Sequence, residues 1–319
     1  MTRRNFVAAS VPALASATVG ASAASATVSH SDIPVTQVRR VEADGVNVFY
    51  REAGPADAPV ILLLHGFPAS SFQSRELIPR LADKYRVIAP DLPGFGFTEV
   101  PADRHYVYTF DHLAKTLEAF TEALHLHRYS LYVFDYGAPT GFRLAMAHPE
   151  RVNAIVSQNG NAYEEGLGSA WEPIQQYWRE PTAEHREVVH QALNPAGIRF
   201  QYTAGVPNPE RIAPEGYTLD AAMIACLGNM DIQLDLFLDY ANNVKRYPEF
   251  QEYFRTSKPP LLAIWGQFDP FFLPAGAEAF KRDIPNAIVQ LLETGHFALE
   301  TNVEDVARAM RQFLSANNI

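Results

Sequence analysis

Val60–Leu64 is an unbroken apolar run, and it constrains the fold more than any other feature of the chain. A strand with one wet face alternates apolar and polar residues. One without alternation is covered on both faces, as in a parallel sheet flanked by helices. Arg86–Ala89, Leu131–Phe134, Val152–Ser157, Leu261–Trp265 and Ala287–Leu292 read as further strands. Phe72–Tyr85, Ala138–Ala147 and Pro274–Arg282 read as intervening helices, and apolar positions 110, 113, 117, 120 and 124 form a helical stripe over Phe110–Leu124. Val35–Val41 and Val46–Arg51 flank Asp44-Gly45 and read as a hairpin. The last helix carries apolar residues at 303, 306, 307, 310, 313 and 314, with Asn302 placed to cap it. This alternation predicts an α/β fold, a mostly parallel sheet with helices on both faces. From Asn159 to Ser257 the strand pattern stops, and Pro259-Pro260 precedes its return. We therefore expect a core over residues 27–158 and 258–319, interrupted by a helical cap over 159–257 above the C-terminal edge of the sheet. Ligands bind at that edge in open α/β sheets.

Charge excludes one class of partner. Lys and Arg number 26 against 36 Asp and Glu, a formal charge of −10. A nucleic-acid partner calls for clustered basic residues, so none is expected. The single cysteine, Cys226, makes no intrachain disulfide. The ten histidines are scattered; His125-x-His127 reads as a helix end, and no metal site or cofactor is expected. Downstream of the first residues no apolar run is long enough to span a bilayer. Both a monomer and a homodimer are compatible with the sequence.

The first 26 residues read as an address. A charged head with Arg3-Arg4 precedes an Ala/Val/Ser-rich stretch over 8–21, then Ala21-Ser22-Ala23 and Ala24-Ser25-Ala26. Charged head, apolar middle and small-residue tail are the parts of an export signal. The arginine pair resembles the twin-arginine type, which implies the twin-arginine export machinery as a partner and a periplasmic location.

Three segments follow predicted strands and carry the chemistry. They are His65-Gly66-Phe67-Pro68, then Val133-Phe134-Asp135-Tyr136-Gly137-Ala138, then the pair Gly266-Gln267-Phe268-Asp269 and Thr294-Gly295-His296-Phe297. The order Asp135, Asp269, His296 resembles that of the α/β hydrolases: nucleophile on a strand-to-helix elbow, then acid, then histidine. Asp91-Leu92-Pro93-Gly94-Phe95-Gly96 resembles the end of that family's fourth strand. The resemblance covers residues 35–315 and implies the α/β-hydrolase fold. Alone, Asp135 would read as a helix N-cap; beside Asp269 and His296 it reads as the nucleophile. His65 and Asp91 read as loop anchors.

Esterases and lipases of this family carry Ser at the elbow, and this chain carries Asp135. A carboxylate is ionised at pH 7 without help from a base. Attacking a saturated carbon, it forms an alkyl ester that water can cleave, whereas a serine would leave an inert ether. Epoxide opening or carbon–halogen cleavage follows. His296 would activate the water, Asp269 would orient the imidazole, and the N–H groups of Phe67 and Tyr136 would form the oxyanion hole.

The elbow resembles that of haloalkane dehalogenases, yet Tyr136 stands where they carry Trp, and Phe67 where they carry Asn or Glu. Epoxide hydrolases share the His-Gly-aromatic-Pro segment and use two cap tyrosines, which by spacing from Asp135 correspond to Tyr177 and Tyr240. Fluoroacetate dehalogenases carry His-Trp where this chain has Tyr177-Trp178. The resemblance thus implies Tyr177, Trp178 and Tyr240 as leaving-group contacts. Tyr at 177 tilts the reading toward epoxides. With only Arg143 near the elbow, the expected substrate is a neutral hydrophobic small molecule, with water as co-substrate. The alternatives are a haloalkane or haloacid dehalogenase with the same triad, and a non-catalytic ligand-binding protein on the same fold.

Overall fold

A computed structural model of the chain describes residues 34–319. The export signal expected over 1–26 lies outside them. Eight strands form one sheet: β1 Gln37–Ala43, β2 Val46–Ala53, β3 Val60–Leu64, β4 Arg86–Pro90, β5 Tyr129–Phe134, β6 Val152–Gln158, β7 Leu261–Gly266 and β8 Ile288–Leu292. Their order is β1-β2-β4-β3-β5-β6-β7-β8. β1 with β2, and β2 with β4, pair antiparallel; every other pair is parallel. This is the mostly parallel sheet expected from the alternation, and the α/β-hydrolase fold that the resemblance implies.

The apolar runs behave as their pattern requires. Leu62 and Leu64 enter one hydrophobic core and Ile61 and Leu63 the other, so β3 feeds both faces of the sheet. All six residues of β5 are buried. The hairpin turns at Asp44 and Gly45, whose φ angles of +54° and +73° are those of a tight two-residue loop. The pair His125-x-His127 follows the end of the helix Phe110–Ala123, with His125 at φ +54°.

Two local expectations are corrected. Phe72–Tyr85 is not one helix: Ser71–Ser74 is a 3₁₀ turn and only Leu77–Leu81 is α-helical. Pro79 has no N–H to continue a ladder, which confines it to a first turn. Asn302 occupies the N-cap of the helix Val303–Ala316 without capping it. Its Oδ1 accepts from the Thr301 hydroxyl at 2.8 Å instead, and its Nδ2 donates to Asp305 at 3.2 Å.

Between β6 and β7 the chain is helical, with one isolated bridge between Leu167 and Phe272. This region docks on the core through a buried polar knot. The Tyr202 hydroxyl, on the helix Pro195–Thr203, donates to Asp220 Oδ2 at 2.5 Å, on the helix Pro214–Ile224. The Tyr202 ring stacks on Phe297 at 3.8 Å and 9°. Beside them Arg75 forks onto Glu300 at 2.9 and 2.7 Å.

Burial pushes the Asp220 carboxyl up to about 8; the Tyr202 bond and Arg75 pull it down, and Glu300 and Asp91 add to the rise. The unfolded carboxyl ionises near 3.8. Its folded pKa is raised, so its contribution to stability is full below pH 4 and is lost as pH climbs through 8. Asp220→Asn keeps an acceptor for Tyr202 and removes this loss. By thermal melts, the variant should exceed the parent Tm by about 2–4 °C or more at pH 7.5, a gap of roughly 1 kcal/mol or more. The gap should narrow toward pH 5; no gap at pH 7.5 would count against a neutral Asp220.

Candidate active site

β5 delivers Asp135 at its C-terminal end, and the helix Gly137–Ala147 begins two residues later. So sharp a turn places Asp135 at φ +46°, a region that non-glycine residues seldom adopt. Gly137 allows it, since a Cβ there would lie 2.5 Å from the Leu64 carbonyl oxygen. The turn brings the Asp135 carboxylate against the loop that follows β3. Phe67 N–H donates to Asp135 Oδ1 at 2.6 Å, and the nearby Tyr136 N–H also favours the charged carboxyl. Burial raises the Asp135 pKa to about 6, against the pull of His296 and of both N–H groups.

His296 follows β8, and Asp269 follows β7. His296 Nδ1 lies 2.7 Å from Asp269 Oδ2, which fixes Nδ1–H as donor and leaves Nε2 basic. Asn159 Nδ2 donates to the same oxygen at 2.7 Å, and Phe271 N–H donates to Asp269 Oδ1 at 2.7 Å. Asn159 Oδ1 in turn accepts from Gly266 N–H at 2.9 Å. Burial pulls the His296 pKa down, but Asp269 and Asp135 outweigh it, so the imidazole is held above its ordinary value.

Asp135 and His296 open onto one cavity of about 150 Å³. A void of that size holds a benzene-sized molecule. Phe67, Tyr136 and Phe271 complete its core side; Trp171, Ile174, Val189, Gln201 and Phe237 line it from the cap. Neither Lys nor Arg is among the lining residues. Arg143 is engaged with Asp111 at 2.6 Å and the Pro139 carbonyl at 3.0 Å, away from this cavity.

Comparison with known proteins agrees with this fold. Residues 59–195 match the family described as alpha/beta hydrolase fold. An uncharacterized hydrolase of Saccharomyces cerevisiae is 48% identical over 278 residues, covering 86% of this chain and 95% of that one. The chain belongs to the α/β-hydrolase family. Epoxide hydrolase 2 of Caenorhabditis elegans is 24% identical, over 87% of this chain and 80% of that one. The crystal structure of the haloalkane dehalogenase DbeA from Bradyrhizobium elkani superposes with a TM-score of 0.72 at 22% identity, over 89% of this chain and 99% of that one.

In this α/β hydrolase the three side chains expected to meet the leaving group do not line the cavity. The Tyr177 hydroxyl accepts from Arg186 at 3.0 Å, and Arg186 is itself held by Asp231 and Asp235. Trp178 donates its indole N–H to the Phe237 carbonyl at 2.7 Å. Tyr240 sits one layer back, its ring 4.4 Å from Trp171 and 5.6 Å from Tyr136, with its hydroxyl sealed from water. Trp171 fills the space in front of it.

The loop anchors stand where expected. His65 Nε2 accepts from Leu92 N–H at 2.9 Å, and Asp91 accepts from Ser71 and Phe97 N–H at 2.7 and 2.8 Å. Sequence reasoning missed three residues. Asn159 was visible only as the absence of a carboxylate after β6. Trp171 and Gln201 carry no motif at all.

Gly66 ties the two loops together, because a Cβ there would lie 2.3 Å from Asp135 Oδ1. Gly66→Ala should therefore displace the carboxylate. A misplacement on the order of 1 Å costs about 100-fold in rate. Steady-state assays should show such a loss in kcat with Tm nearly kept, and unchanged kcat would show that the loop yields instead.

Proposed function

We propose that this hydrolase opens small, neutral, apolar epoxides through an alkyl ester on Asp135. The observation that carries the reading is a carboxylate, in place of a hydroxyl, on the elbow, with one oxygen held by Phe67 N–H and the group facing a cavity shared with His296. In the first step the unpinned Asp135 oxygen bonds to a ring carbon. The carbon–oxygen bond of the epoxide breaks, and its electron pair stays on oxygen, which takes a proton from water. In the second step His296 Nε2 removes a proton from a water molecule, and the hydroxide adds to the ester carbonyl. Negative charge then gathers on Oδ1, where the Phe67 N–H already donates and the neighbouring Tyr136 N–H is the second candidate donor. Collapse expels the diol oxygen, which takes the imidazolium proton; the regenerated Asp135 carboxyl passes its proton to the hydroxide left when the first step drew a proton from water, and the carboxylate is restored. Asp269 orients the imidazole throughout.

The lining supports a neutral substrate, because no cation in it would hold a free acid. Epoxides are favoured over halides because Tyr136 and Phe67 stand where dehalogenases carry their halide-holding side chains. The Arg3-Arg4 head and small-residue tail of residues 1–26 support twin-arginine export to the periplasm.

His296→Gln should stop the second step and accumulate a covalent adduct on Asp135. With styrene oxide, mass spectrometry should find a peptide carrying residue 135 heavier by the epoxide mass. A single turnover of the parent enzyme in heavy-oxygen water should place the label in Asp135 and none in the first diol. First-turnover diol carrying solvent oxygen would remove the ester mechanism. Halide release from bromoalkanes without diol formation from epoxides would transfer the reading to dehalogenation.

The acid limb follows from the raised Asp135 pKa of about 6. Only the carboxylate form attacks, so kcat/KM should fall about tenfold per pH unit below pH 6. His296 lowers the Asp135 pKa. Adduct formation in His296→Gln should therefore show its acid limb displaced to higher pH. A limb near pH 4 in both proteins would mean that Asp135 is not the group titrating.

A further inference from the structure

We propose that the side-chain amide of Gln201 is the hydrogen-bond donor that receives the leaving oxygen when Asp135 attacks; the inference rests on the alkyl-ester reading above. Substitution at a saturated carbon runs in line, so the leaving atom departs on the side opposite the nucleophile. Asp135 attacks from the sheet side of the cavity, at the end of β5. The group that meets the departing charge must therefore come from the cap.

Of the cap residues lining the cavity, only Trp171 and Gln201 carry polar side-chain atoms. The Trp171 indole N–H is sealed from water contact. Gln201 is 7% exposed, and among the described residues its amide is joined to no hydrogen-bond partner. Unlike the Trp171 indole, this amide is not among the sealed polar atoms, so it is reachable from the cavity, and a ligand atom there is the partner the geometry offers. The backbone on which Gln201 rides is firmly held. Ile198, one turn earlier, is buried, and the next residue, Tyr202, stacks on Phe297 beside His296 and donates to Asp220. The amide thus has a fixed place relative to the imidazole loop.

The chemistry of an amide suits an oxygen that stays in the product. Its NH₂ donates to the ring oxygen as the carbon–oxygen bond breaks and the electron pair moves onto oxygen. The amide keeps both of its protons, and the oxygen takes its proton from water. The new hydroxyl can then donate to the amide carbonyl. A halide accepts hydrogen bonds but never becomes a donor, so half of what the amide supplies would go unused. Gln201 thereby points to substrates whose leaving atom is an oxygen retained as a hydroxyl, and it occupies the role that spacing alone assigns to Tyr177 and Tyr240.

The test follows the first step alone. Full-length His296→Gln and His296→Gln/Gln201→Met are mixed with styrene oxide, and the Asp135 adduct is timed by mass spectrometry. Methionine keeps the length of the side chain and removes both hydrogen-bonding atoms. A hydrogen bond to a charging oxygen predicts adduct formation slowed roughly 10- to 100-fold, with the same adduct mass. Thermal melts of Gln201→Met should be equal to or above the parent, because an apolar group replaces an unpaired amide. Equal adduct rates in the two proteins would overturn the role of Gln201 while leaving the ester reading intact. A lowered Tm with unchanged adduct rate would make Gln201 a packing residue. No adduct in His296→Gln itself would instead overturn the ester reading, and this inference with it.

Discussion

A single hydrogen bond, Phe67 N–H to Asp135 Oδ1 at 2.6 Å, joins the two loops from which the candidate site is built. It depends on β3 and β5 lying side by side and parallel, with Leu64 paired to Val133, so that both strands end at the same height. It depends equally on the missing side chains of Gly66 and Gly137, which let the loop and the elbow approach to contact. The bond also makes the two carboxylate oxygens unequal. Oδ1 is pinned by the Phe67 N–H, and under the proposed chemistry the other oxygen is left to react. Under the proposed chemistry the pinned oxygen becomes the ester carbonyl oxygen, so the oxyanion hole is occupied correctly before any substrate arrives. Preorganised donors of this kind act without reorganisation at the moment of reaction.

Two buried carboxylates share one imidazole, and the number of donors around each decides its role. Asp269 has both oxygens occupied, by His296, Asn159 and the Phe271 N–H. Asp135 accepts one backbone hydrogen bond, from the Phe67 N–H at Oδ1, and burial lifts its pKa to about 6. A carboxylate stripped of water yet still ionised at neutral pH is a better nucleophile than one saturated with partners. Under the proposed chemistry, environment thus separates two chemically identical groups into an orienting acid and an attacking nucleophile, as in other paired-carboxylate sites.

Much of this was legible before any coordinates. Continuous apolar runs located β3, β5, β6 and β7 because burial on both faces leaves a pattern no surface strand shares. Asp135 and Asp269 follow two of those runs and His296 follows β8, so the gathering of these three side chains at one edge of the sheet could be read from position and residue type. The cap was legible only as helix. A residue at the right distance from the nucleophile occupies the right helix, but its side chain goes wherever stronger partners draw it. Tyr177 is drawn to Arg186 and Trp178 to the Phe237 carbonyl, and Trp171 stands between Tyr240 and the cavity. Those partners come from remote parts of the chain, and local periodicity carries no trace of them. The helix expected over Phe72–Tyr85 failed for a related reason, since an apolar stripe says nothing about whether the backbone donors around Pro79 can be satisfied.

A cavity with no Lys or Arg in its lining limits how such an enzyme can handle charge. A standing cation beside Asp135 would bind free acids, hold the carboxylate pKa down and weaken its attack. Without one, the negative charge that the proposed chemistry passes from carboxylate to substrate oxygen, and later to the ester oxyanion, must be met by dipoles. The backbone N–H groups of Phe67 and Tyr136 serve the sheet side, and the neutral amide of Gln201 is the counterpart on the cap side. Dipoles are weak in water but gain strength in an apolar enclosure, where effective dielectric constants are far lower. The aromatic wall of Phe67, Trp171, Phe237 and Phe271 therefore does more than select apolar substrates. Under the proposed chemistry, keeping water sparse would raise the reactivity of Asp135 and the value of each fixed dipole together, so substrate preference and catalytic electrostatics would arise from one physical property of the cavity.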